Sequence, residues 1–167
     1  MLTEADPDNG AAMLIRMPEE QAATVLAARP ARSASKVLQV MAASKPDTVG
    51  RILQMTSSSW SGRALSYLRT ESAASVLATM PAGEAARILN AADVKAAGAM
   101  LMESPAGLSA GVITELNPAK AVAILGQVEP AAVAAILTVA GYRGRTLLGL
   151  LSNSFRAEVV LHMPQPG

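Results

Sequence analysis

"SAASVLATMPAGEAARILNAADVKAAGAML" runs from Ser72 to Leu101 and repeats one short phrase three times. Its adjacent aliphatic pairs, Val76/Leu77, Ile88/Leu89 and Met100/Leu101, fall twelve residues apart, and a small residue, Ala73, Ala85 or Ala97, stands three places before each. Followed outward, the step of twelve holds seven times running, through Ile52/Leu53, Ala64/Leu65, Val112/Ile113 and Ile124/Leu125 to Ile136/Leu137. Further pairs at Leu14/Ile15, Val25/Leu26, Val37/Leu38, Leu147/Leu148 and Val159/Val160 continue it at steps of eleven, twelve or fifteen. The longest step reflects extra residues around "AASKPD" at Ala42 to Asp47, read as a lengthened connection.

Each unit places apolar residues at i, i+3, i+4 and i+7, as in Ala73, Val76, Leu77 and Met80, which is one stripe of a helix of about eight to ten residues. Punctuation falls between the stripes. Pro18, Pro30, Pro46, Pro81, Pro105, Pro118 and Pro130 occupy first-turn positions, and Asn117, Ser72, Asp93 and Ser152 suit helix caps. Isolated helices this short are marginal in water, so each unit needs its neighbours to bury its stripe. The expected fold is all-α: a superhelical solenoid of about thirteen short helices with a roughly twelve-residue repeat. It forms a single domain over residues 10–163, between a flexible acidic segment at 1–9 and a short tail at 164–167.

Composition agrees. Apolar residues are 51% of the 167 and aromatics 2%, so the interior is built from Ala, Leu, Val, Ile and Met, a mixture that favours closely packed helices over strands. Lys and Arg number 14 against 13 Asp and Glu, scattered along the chain, which gives no footprint for nucleic acid or anionic lipid. The absence of cysteine excludes disulfides, thiolate catalysis and cysteine-held zinc, and a single histidine, His162, excludes multi-histidine metal sites.

"MLTEADPDNG" lacks the basic and long apolar regions of a secretory signal, so a cytoplasmic location is expected. The stretch Ala121 to Gly141 has the length of a bilayer span, but Glu129 and Pro130 in its middle suit a break between two short helices, and no membrane insertion is expected.

Catalytic constellations do not form. His162 is the only imidazole base and sits in the terminal "LHMPQPG", where a surface or capping role explains it; the neighbours Glu19 and Glu20 suit a helix start. Glu4, Asp6 and Asp8 offer oxygen ligands without the loop spacing of a calcium motif, and "YRGRTLLG" lacks the lysine and spacing of a phosphate loop. Met41, Met55, Met80 and Met100 lie on or beside the apolar stripes and read as core filling. No catalytic, cofactor-binding or metal-ligating residue is therefore assigned.

Two irregular stretches remain as candidate contacts for a partner protein. "TSSSWSGRALSYL" at Thr56 to Leu68 gathers Trp60, Arg63 and Tyr67 in a chain almost without aromatics, with gap filling by Trp60 as the competing role. "GYRGR" at Gly141 to Arg145 joins Tyr142 to Arg143 and Arg145, residue types enriched at interface hot spots, against a solvated turn. The closing "VVLHMPQPG" is less polar than a repeat-array cap usually is, which leaves self-association through the terminal helices open.

The units "AATVLAA" (Ala22 to Ala28), "AASVLATMP" (Ala73 to Pro81), "AARILNAA" (Ala85 to Ala92) and "NPAKAVAILGQV" (Asn117 to Val128) resemble the cytosolic N-terminal domain of MgtE-type magnesium transporters. Similar units occur in the flagellar switch protein FliG and related motor chaperones. The resemblance runs from about Gly10 to Met163 and implies a superhelix of short helices acting as a regulatory or scaffolding module. It implies three roles: a non-enzymatic protein-interaction module, a magnesium-responsive domain of or beside a transporter, and a flagellar-type scaffold. Since the acids along the helices are few, no metal ligand is carried over.

Overall fold

The computed structural model describes residues 7–164. Among them the chain forms thirteen α-helices and no strand. The first seven are α1 (Pro7–Arg16), α2 (Glu19–Ala27), α3 (Ala31–Ser44), α4 (Pro46–Met55), α5 (Ser58–Tyr67), α6 (Thr70–Leu77) and α7 (Ala82–Leu89). The remainder are α8 (Val94–Glu103), α9 (Ala106–Glu115), α10 (Pro118–Leu125), α11 (Pro130–Ala140), α12 (Tyr142–Leu150) and α13 (Asn153–Leu161). Glu4 and Asp6 lie outside the described residues, as does the side chain of Asp8. Helix α1 starts at Pro7, three residues before the boundary expected from the repeat, at a residue whose fixed φ suits a first turn.

Most helices pack chiefly on the one two places along the chain, α1 on α3, α3 on α5 and so on, and likewise α2 on α4 through α8 on α10; at the far end α12 packs more on α11 than on α10. The twelve-residue sequence unit is thus half of the structural unit, and the helices form an odd row and an even row. The principal contacts never reach past the third helix along the chain, so burial is supplied by neighbours in sequence. Every aliphatic pair from Val37/Leu38 to Ile136/Leu137 is buried between the rows. At the far end Val159 is buried but Val160 is 40% exposed, because no described helix follows α13.

Small residues set the distance within a row. A Cβ on Gly62 would lie 2.7 Å from the carbonyl carbon of Ala91, and one on Gly98 would lie 3.0 Å from Gln127 Cβ. Gly50 faces Thr79 in the same manner, and in all three cases the partner is 29 residues on. Two buried serines replace alanine at the small position and donate to a carbonyl. Ser61 Oγ donates to Leu53 O at 2.7 Å and Ser109 Oγ to Leu101 O at 2.9 Å. Both bonds add a donor in the last turn of the preceding helix, beside Thr56 Oγ1 on Leu53 O and Ser104 N on Leu101 O.

The helix starts follow the punctuation with three differences. Pro46, Pro118 and Pro130 stand in the first turn, whereas Pro18, Pro30, Pro81 and Pro105 stand one place earlier, extended at the cap position. Asp93, Asn117 and Ser152 cap α8, α10 and α13, but Ser72 lies inside α6, where its hydroxyl accepts from Gln39 Nε2 at 2.6 Å; Ser57 is the cap of α5. The residues around "AASKPD" lengthen α3 to 14 residues rather than the connection. Nothing in "VMAAS" breaks a helix, so α3 continues until Lys45, which its following proline holds out of the α region.

The apolar run from Ala121 to Gly141 divides as its sequence suggests: α10 ends at Leu125 and Pro130 opens α11. Among the described residues no helix is long and apolar enough to cross a membrane.

Candidate functional site

The two irregular stretches fare differently. In α5, Ser57 Oγ accepts from the backbone N–H of Trp60 at 3.3 Å and starts the helix. Trp60 is 8% exposed, turned inward, and its Nε1 donates to the Arg29 carbonyl at 2.9 Å in the turn after α2. The indole is therefore a pillar, tying α5 to the helix three places earlier. Lys120 repeats the bond at the equivalent place of its own unit, Nζ to Ala92 O at 2.7 Å. Arg63 and Tyr67, one turn apart on α5, are both exposed, Tyr67 to 54%.

Repeat register shows what stands beside them. In α3, Lys36 precedes its pair by one place as Arg63 does in α5, and Val40 corresponds to Tyr67. Since α3 packs on α5, the repeat register sets the exposed Lys36 level with Arg63, a cationic rung, and Val40, half-buried against the core, level with Tyr67, an apolar rung. Arg32 lies one turn before Lys36 and is exposed as well. Neither α3 nor α5 contains an acidic residue, and among the described residues Arg32, Lys36 and Arg63 take part in no ion pair or side-chain hydrogen bond.

The even row beside it mixes both signs. Glu19, Glu20, Asp47 and Glu71 lie in the first turns of α2, α4 and α6. Lys45 and Arg69 stand exposed at the starts of α4 and α6, and Arg51 bonds Glu19 at 2.5 Å and pairs with Asp47 at 3.5 Å. The Glu19 hydrogen bond holds the Arg51 guanidinium above its ordinary pKa. In α7, Arg87 occupies the same column as Lys36 and Arg63 but is consumed internally. It bonds Glu84 at 3.0 Å, Ser58 Oγ at 2.5 Å and the Gln54 carbonyl at 3.2 Å, clamping the junction of α4 and α5.

"GYRGR" is not a solvated turn beyond Gly141, whose φ of +65° makes the bend that glycine accommodates. Tyr142, Arg143 and Arg145 belong to the first turn of α12, which sets Arg143 more than a quarter-turn away from Tyr142 and Arg145. Tyr142 is 83% exposed, Arg145 is exposed, and Arg143 faces Glu115 at 3.9 Å. Arg143, Thr146, Leu147 and Leu150 line a groove of about 190 Å³ with Ile113, Leu116 and Pro118. That volume is below the roughly 300 Å³ at which small-molecule sites begin.

Sequence reasoning missed Arg32, Lys36 and Val40. The signal was the alternation of the rows: reading every second unit puts Lys36, Arg63 and Arg87 in one column and Arg51 and Ser75 in the other. Among the described residues no group of three or more His, Asp or Glu is placed to hold a metal ion. His162 is exposed at the end of α13. The chain matches no protein-family model, no curated protein and no solved structure. The resemblance to the magnesium-transporter domain therefore rests on the packing positions of the repeat.

Proposed function

We propose that this chain is a non-enzymatic helical-repeat module that binds another protein, with the outer face of α3 and α5 as its contact surface. The observation that carries the reading is the pairing of a fixed scaffold with unspent surface groups. Trp60 is locked inward by its bond to Arg29 O, while Lys36, Arg63 and Tyr67 point to solvent without internal partners. Arg and Tyr are the residue types on which interface energy concentrates, and positions on helices keep them in fixed register.

Affinity capture with the whole protein, read by mass spectrometry, tests the reading. A partner retained by the native protein and lost on Arg63→Ala with Tyr67→Ala, at unchanged melting temperature, is the expected result. Equal retention by the double variant would remove this face from the account.

A further inference from the structure

We infer that the α3–α5 face takes an acidic peptide segment of a partner protein, with carboxylates over the Lys36/Arg63 rung and an apolar side chain over the Val40/Tyr67 rung. The inference rests on the protein-binding reading and adds the chemistry of the partner.

Charge complementarity selects the occupant. Three cations, Arg32, Lys36 and Arg63, project from two adjacent helices that carry no acid, and no described side chain neutralises them. Within the roughly 8 Å over which charges are felt at physiological salt, they present one sign. The adjacent even row mixes Glu19, Glu20, Asp47 and Glu71 with Lys45, Arg51 and Arg69, so it offers an acidic segment no comparable run of one sign.

Geometry defines the segment further. Neighbouring helices lie roughly 8–10 Å apart, and the two rungs are four residues apart along each helix, or about 6 Å. A carboxylate and an aliphatic or aromatic side chain separated by one helical turn, or by two residues of extended chain, meet both rungs together. Duplex nucleic acid fits less well: three cations release few counterions, and the chain's formal net charge is only +1.

The test is selection of a displayed library of random 12-residue peptides on the whole protein, followed by anisotropy titration of the commonest labelled peptide. The expected winners combine Asp or Glu with Leu, Ile, Met or Phe. Their affinity should fall at least tenfold on Lys36→Glu with Arg63→Glu, fall less with Gln at both positions, and recover in part when the peptide's acids become lysine. Both substituted side chains are exposed, and a melting curve for each variant separates lost binding from lost fold. Winners without acids, or winners whose binding ignores the charge reversal, overturn the inference while leaving a protein-binding module standing. Displacement of the peptide by a 20-base-pair DNA duplex at lower concentration than unlabelled peptide also overturns it. A library that yields no binder at all removes the inference and weighs against the interaction reading itself.

Discussion

Gly62 of α5 meets the backbone of Ala91 so closely that a Cβ on the glycine would stand 2.7 Å from the Ala91 carbonyl carbon and 2.8 Å from its oxygen. The obstacle is backbone, which yields less readily than a side-chain tip, so the odd row has to shift to admit a methyl group. Gly62→Ala should therefore cost about 1–3 kcal/mol despite alanine's better helix propensity. Gly107→Ala, in a helix of the same row but with open space around the new Cβ, should be neutral or stabilise by up to about 1 kcal/mol. Urea unfolding of the two variants gives opposite signs if row spacing is set at the small positions.

Trp60 contributes through both its ring and its N–H. Trp60→Phe keeps most of the packing and leaves the Arg29 carbonyl without its indole donor, which should cost about 1 kcal/mol; Trp60→Ala also opens a cavity and should cost about 3–5 kcal/mol. Denaturant titrations measure the gap between the two. If the variants were equally damaging, the ring's packing would be irrelevant and the pillar role wrong.

A side chain from one helix also closes the start of the helix three places on. Asn90 Oδ1 accepts from Asn117 N at 3.2 Å, Ser66 Oγ from Asp93 N at 3.1 Å, and Gln39 Oε1 from Arg69 N at 2.8 Å. Asn90→Ala should lower stability by about 0.5–1.5 kcal/mol and speed hydrogen exchange at the Asn117 amide relative to Asp93. Exchange accelerated equally at both amides would show a global effect in place of a local latch.

The sequence repeat made the helices legible because pairs such as Val76/Leu77 and Ile88/Leu89 sit in identical local surroundings, and each lies buried as its column predicts. The alternation of rows was not legible, since a twelve-residue period is the same whether a helix packs on the next unit or on the one after. The site suffered accordingly. Trp60 and Arg63 are three residues apart and were grouped together, yet one faces Arg29 and the other faces solvent. Lys36 is 27 residues from Arg63 and was overlooked, although the packing of α3 on α5 puts both in one rung.

Arg87 is distinguished from Arg63 by its partners. Arg87→Lys should cost about 1–2 kcal/mol, because an ammonium cannot reach Glu84, Ser58 and the Gln54 carbonyl together and the partly exposed pair with Glu84 is discounted by solvent. Arg63→Lys, with no internal bond to lose, should leave stability within about 0.5 kcal/mol of the native protein. Thermal unfolding of the two variants checks the contrast.

The most direct measurement is electron spin–spin distance between nitroxides on cysteines introduced in pairs at Lys36, Arg63, Ala135 and Glu158, four places in one register column of α3, α5, α11 and α13. The chain has no cysteine of its own to compete for label. If every helix stacks on the one two places before it, distance from Lys36 should lengthen from Arg63 to Ala135 and again to Glu158, by at most roughly 10 Å per helix step. A Lys36–Glu158 distance no longer than Lys36–Arg63 would mean that the rows fold back on themselves, and would contradict the linear stack.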